Sequence, residues 1–138
     1  MANLTLRVIT PTKIAVDTEV DSVTLPLLDG EAGVLPRHAP MISALDVGLL
    51  KFRTPSGPEQ EMFVAGGFAE VRDNTVRVVV QSGETADDID EARAKEAEDR
   101  ARKLIDDRTI QGTEAVDIIR AQASLRRAMM RLRTKRGR

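Results

Sequence analysis

Apolar and polar positions alternate along the first part of the chain, and the rhythm changes between Ser82 and Asp88. Leu4, Leu6 and Val8 are separated by Thr5 and Arg7, the period of two that turns one face of a strand into a core and the other to solvent. Pro11 ends that run. Ile14, Val16, Val20, Val23, Leu25 and Leu27 continue the pattern in short pieces as far as Asp29-Gly30, a turn dipeptide. Further strands are predicted at Val47–Thr54, Glu61–Ala65, Phe68–Val71 and Val76–Val80, divided by Pro55-Ser56-Gly57, Gly66-Gly67 and Asp73-Asn74. Turn signals at intervals of about ten residues predict an antiparallel β-sandwich or flattened barrel, because one small sheet could not bury both apolar sets.

Beyond the break the spacing becomes helical. Asp87 and Asp88 precede Ile89, where carboxylates suit the unpaired N–H groups and positive end of a helix. Ala94, Ala97, Ala101 and Leu104 then form a narrow apolar stripe. Gly112 punctuates and Thr113 is placed to cap a second helix, whose seam reads Ile118, Ala121, Leu125, Ala128 and Leu132. Two matching stripes joined by a short polar loop predict an antiparallel hairpin with closely spaced axes. The fold class is therefore α+β, a β-sandwich over 1–84 followed by a two-helix hairpin over 85–138. A seam built mostly of alanine buries little area per turn, so opening the hairpin should cost little.

Charge sharpens this division. The whole chain of 138 residues is almost balanced, 21 Lys+Arg against 22 Asp+Glu, which gives no general attraction to nucleic acid or membrane. From Asp117 to Arg138, however, there are eight basic side chains and one acidic, whereas Glu84 to Asp107 holds ten acidic and five basic. The catalytic inventory is nearly empty. His38 is the only histidine and there is no cysteine, so paired-His metal sites, thiolate nucleophiles and most Ser-His-Asp arrangements lack parts. No phosphate-loop motif occurs, and Gly66-Gly67 falls between strands, which reads as backbone geometry. No catalytic residue and no metal site are expected. No apolar run reaches the roughly 18 residues of a membrane span and Met1 to Pro11 lacks the features of a signal peptide, so the chain is expected to be soluble and unprocessed. The Arg-rich end contains no aromatic residue to stack bases, and nucleic acid is not an expected partner.

One constellation carries binding chemistry. In a hairpin turning near residues 110–111, Asp90 falls level with Arg131 and Arg93 with Arg127. Three guanidiniums around one carboxylate leave surplus charge and forked donors of the kind a di- or triphosphate takes. The same spacing also describes an exposed ion pair on a solvated basic face, and spacing alone leaves both readings open.

Three strings occur in order along the chain: Gly30-Glu-Ala-Gly-Val-Leu-Pro-Arg-His-Ala-Pro40, Gly66-Gly-Phe-Ala-Glu-Val71 followed by Asn74-Thr-Val76, and Ile89-Asp-Glu-Ala-Arg-Ala94. In these the chain resembles the epsilon subunits of the rotary F-type ATP synthases over essentially its whole length. The resemblance implies a non-catalytic central-stalk subunit whose sandwich binds the gamma subunit and the c-subunit ring, with Asp29, Gly30, Glu31 and Gly33 facing the ring. It implies helices that reach the alpha/beta catalytic head and inhibit ATP hydrolysis, with Arg120, Arg126, Arg127, Arg131 and Arg133 meeting acidic beta-subunit segments. It implies no required cofactor, but a regulatory ATP on the folded hairpin, held at Glu84, Ile89, Asp90, Arg93, Ala94, Arg127 and Arg131. Thr85 departs from the pattern, standing where ATP-binding members often have arginine. The implied location is peripheral, on the cytoplasmic face of the bacterial plasma membrane in preference to the plastid thylakoid, with membrane contact only through the complex. A stand-alone ATP-sensing module is the alternative from a different class.

Overall fold

The computed structural model describes residues 3–111 and 115–136, with the side chains of 107–118 outside the description. It divides into two compact units, Met1–Thr85 and Ala86–Arg138. Among the described residues the first holds eight strands: β1 (Leu4–Ile9), β2 (Ile14–Val20), β3 (Ser22–Leu27), β4 (Gly30–Val34), β5 (Met41–Leu45), β6 (Gly48–Arg53), β7 (Glu59–Arg72) and β8 (Thr75–Thr85). Their order is β2-β1-β8-β7-β5-β3-β4, with β6 pairing β3 and β7.

The layers of the sandwich are joined through β7, which changes partners along its length. Its Glu59–Val64 half pairs with β6, its Gly67–Val71 half with β5, and β8 runs antiparallel beside both. The strands expected on either side of Gly66-Gly67 are thus one strand of 14 residues. Gly66 supplies the local change of direction with φ 72, while the β7–β8 register continues unshifted from Ala65–Ser82 to Gly67–Val80. The turn predicted at Asp73-Asn74 has both residues at positive φ, 50 and 58, the geometry of a tight two-residue hairpin. Three features lie beyond the sequence pattern, the first being β4, which starts directly after the turn at Gly30 where no strand is predicted. β5 occupies a stretch whose pattern predicts no strand, and β1 runs parallel to β8 where an antiparallel sandwich is expected. Alternation reports which side chains face the core, and it carries no information about strand direction.

The core is aliphatic. Leu4, Leu6 and Val8 of β1 meet Val23 and Leu25 of β3, Leu50 of β6, Met62, Val64 and Val71 of β7, and Val76 and Val78 of β8. Full burial of such side chains stabilises the unit by roughly 1.5–3 kcal/mol each.

The second unit opens with a 3-10 turn at Ala86–Asp88, followed by α1 (Glu91–Gln111) and α2 (Ala115–Arg136). The helix begins later than Asp87-Asp88 suggests, because Asp90 is the residue that caps it: its Oδ1 accepts the Arg93 N–H at 3.1 Å. Ala94 and Ala101 of α1 and Ala121, Ala128 and Leu132 of α2 are buried, as the seam predicts. Leu104 is not; it is 44% exposed at the rim of a shallow groove between the helices. Gly112, Thr113 and the Ile118 side chain lie outside the described residues.

Candidate functional site

Three surfaces collect the residues that chemistry or resemblance singles out. The first is the open end of the hairpin. Ile89 and Ala94 are buried and belong to its packing, whereas Asp90 and Arg93 are exposed on the first turn of α1. Asp90 is already engaged as the helix cap, so its carboxylate satisfies a backbone donor and places negative charge at the positive end of α1. On α2, Arg127 is half-buried and donates from Nη2 to Ser124 Oγ at 3.1 Å; Arg131 is half-buried one turn further on. Two contacts bring the end of α2 to the start of α1: Lys135 Nζ donates to the Ala86 carbonyl at 3.0 Å, and Arg136 Nε donates to Glu91 Oε1 at 3.1 Å. Arg120, Arg126 and Arg133 are exposed along α2. A groove of about 240 Å³ lies between the helices nearer the loop, lined by Ala97, Ala101, Leu104 and Ala121 with Arg100 and Arg120. Glu84 belongs to the other unit, half-buried near the end of β8.

The second surface is the edge of the sandwich. Leu28-Asp29 forms the two-residue turn between β3 and β4, and Gly30 follows with φ 125. β4 ends the strand order, so one of its edges is not paired within the sheet. Asp29, Gly30, Glu31 and Gly33 are all exposed there, and so are Leu28 and Leu35 at either end, at 67% and 63%. Two carboxylates framed by two leucines make a compact apolar and acidic edge.

The third surface is one that sequence reasoning missed. On the outward face of the sheet, Ile9 pairs with Val79, Val79 with Phe68, and Phe68 with Ala44, which aligns four apolar side chains in one row across four strands. A charged row runs beside it: Arg7 pairs with Arg77, Arg77 with Glu70, and Glu70 with Ile42, which is 71% exposed. Asp17 closes that row on Arg7 at 3.5 Å. The signal in the sequence is the loss of alternation at Val8-Ile9 and Val78-Val79-Val80, since continuous apolar runs mark strands with both faces suited to cover. Contiguous exposed apolar surface rimmed by charge is how interaction faces differ from ordinary solvated sheets.

No group of His, Cys, Asp or Glu among the described residues is arranged to hold a metal ion, and no described helix is long and apolar enough to cross a membrane.

Comparison with known proteins shows the family. Residues 3–86 match the ATP synthase Delta/Epsilon chain beta-sandwich domain and residues 87–136 the long alpha-helix domain of the same chain. The chain belongs to the ATP synthase Delta/Epsilon family. It is 46% identical over 133 residues to the ATP synthase epsilon chain of Nitratidesulfovibrio vulgaris (strain DP4), covering 96% of each. It is 40% identical over 134 residues to that of Symbiobacterium thermophilum, covering 96% of this chain and 93% of the relative. It is accordingly an epsilon-type subunit of ATP synthase and not itself catalytic. Its fold is also that of a chain in the Euglena gracilis mitochondrial ATP synthase OSCP/F1/c-ring assembly, with TM-score 0.78 and 22% identity, covering 94% of this chain and 79% of that one. A chain of the Tetrahymena thermophila mitochondrial central stalk and c-ring is similar at TM-score 0.62 and 14% identity, with 97% of each covered.

Proposed function

We propose that the chain is the central-stalk subunit that couples rotation to ATP synthesis, its sandwich gripping the gamma subunit and the c-ring while its helices regulate ATP hydrolysis at the alpha/beta head. The observation that carries the reading is the apolar row Ile9–Val79–Phe68–Ala44 with its charged border, a face suited to a broad, fixed contact. The Asp29–Gly33 edge, acidic between Leu28 and Leu35, is assigned to the ring, where exposed backbone and two carboxylates fit a polar loop bearing a cation. The basic side of α2, with Arg120, Arg126 and Arg133 exposed and Arg127 and Arg131 half-buried, is assigned to acidic segments of the beta subunits. In this reading the chain lies at the cytoplasmic face of a bacterial plasma membrane and touches lipid only through the complex.

ATP is the proposed regulatory ligand of the closed hairpin, at Asp90, Arg93, Arg127 and Arg131, with Ile89 and Ala94 as the remaining motif positions on the helices. A nucleotide that touches both helices stabilises only the closed form and so withdraws the helices from the head, a shift of population.

The decisive test of the docking assignment is binding of the full chain to purified gamma subunit, with Phe68→Glu and Ile42→Glu as variants. Each places a carboxylate on the row or its border without touching the core, and affinity should fall at least about tenfold, as burying an unpaired charge at an interface requires. Unchanged affinity in both variants, with circular dichroism intact, would remove the face from the proposal. Titration with ATP while following the amides of Asp90, Arg93, Arg127 and Arg131 tests the ligand separately.

A further inference from the structure

We propose that the last turn of α2 is a charge clasp: Lys135 and Arg136 hold the hairpin shut at its open end, and ionic strength sets how often it opens. The seam itself contributes little grip, because the described residues buried along it on α1 are Ala94 and Ala101, opposed by Ala121, Ala128 and Leu132. At the open end, beside the buried Ile89 and Leu132, two polar contacts bridge the helices. Lys135 Nζ donates to the Ala86 carbonyl at 3.0 Å, and that oxygen is held in place because it also accepts the Ile89 N–H at 3.3 Å. Arg136 Nε donates to Glu91 Oε1 at 3.1 Å, with the two side chains 55% and 49% exposed. The turn carrying the clasp is fixed by Thr134, which is 3% exposed and donates its hydroxyl to the Met130 carbonyl at 2.8 Å.

Position gives the clasp its leverage. It sits at the end of the helices opposite the loop, and its cations stand in the last turn of α2, where the negative end of a helix favours them. A half-exposed ion pair is screened as the Debye length shrinks from about 10 Å at 0.1 M salt to about 3 Å at 1 M. An acidic partner that takes up Lys135 and Arg136 undoes the same two contacts, so closure and such an engagement exclude each other. The inference goes beyond the rotor assignment, and its test needs neither neighbouring subunit nor nucleotide.

The chain has no cysteine, so the full-length protein carrying Ala92→Cys and Gln122→Cys, both exposed positions, takes two spin labels without further change. Pulsed dipolar spectroscopy then reads the fraction of open hairpin at 50 and 500 mM NaCl. At low salt Arg136→Gln and Glu91→Gln should each raise the open-to-closed ratio about two- to fivefold, the range of an exposed ion pair. Salt should do the same to the unaltered pair and little more to Arg136→Gln. The exchanged pair Glu91→Arg with Arg136→Glu should recover part of the closed population, which loss of helix propensity alone cannot produce. Far-ultraviolet circular dichroism should stay constant. A distance distribution indifferent to both salt and variants, or a loss of helix that accompanies the loss of short distances, would overturn the clasp.

Discussion

Gly67 is the position where a single methyl group should do the most damage to the sandwich. A Cβ built there runs into the Val79 carbonyl oxygen and lies 2.8 Å from both Val79 C and Val80 Cα, all backbone atoms of the neighbouring strand. A clash with a flexible side chain could relax, but this one can be relieved only by moving β7 away from β8. About two ladder hydrogen bonds of ~1 kcal/mol net each would weaken around the Gly67–Val80 pair, besides the ~1–3 kcal/mol that overpacking itself costs. The expected loss for Gly67→Ala is therefore about 3–5 kcal/mol, a large part of the ~5–15 kcal/mol that holds a domain of this kind. Urea unfolding measures it, and with a slope of about 1–3 kcal/mol per molar the midpoint should fall by at least ~1 M. Gly33→Ala is the internal control. Nothing lies within 4 Å of a Cβ at Gly33, on the exposed edge strand, so that change should stay within about 0.5 kcal/mol of the unaltered chain. If the two variants unfold within about 0.3 M of each other, the close approach of β7 and β8 is not what fixes glycine at that position.

Arg37 occupies φ 67, and its N–H is held by Asn74 Oδ1 at 2.6 Å; Arg37→Gly should raise stability by roughly 0.5–1 kcal/mol, seen as a thermal midpoint several degrees higher, unless the left-handed strain is absent. Asp90→Ala removes the cap of α1 and should cost about 0.5–2 kcal/mol of hairpin stability, whereas Asp90→Asn retains an accepting oxygen and should cost far less, as thermal melts of the two variants can compare. A hydrogen bond from Lys95 at 2.8 Å, together with the charges of Lys95, Arg102 and Arg136, holds the Glu98 carboxyl below its ordinary range. A carboxylate depressed on folding stabilises fully above its ordinary value and loses that contribution as pH falls through the folded value, so helix stability should drop as pH falls below the ordinary carboxylate range, and drop less in Glu98→Gln. Lys95 is raised by the hydrogen bond to Glu98 and then by the charge of Asp99, so its share runs the other way and is lost only as pH rises through the lysine range.

The sequence alone determined the division of the chain and much of its local detail. Alternation at Leu4, Leu6 and Val8 named a buried face, Asp73-Asn74 named a tight turn, and Ala94, Ala101, Ala121, Ala128 and Leu132 named the hairpin seam, because each depends on neighbours within a few residues. The family was legible as well, in three strings of residues in the right order. Tertiary structure decided what involves residues distant along the chain. That β7 passes unbroken through Gly66-Gly67, that β1 lies parallel to β8, and that Ile9, Val79, Phe68 and Ala44 form one row all follow from strand register, which period-two alternation does not specify. The clasp of Lys135 and Arg136 on Ala86 and Glu91 belongs to the same class, since a basic helix end reads as solvated until the fold brings an acceptor to it.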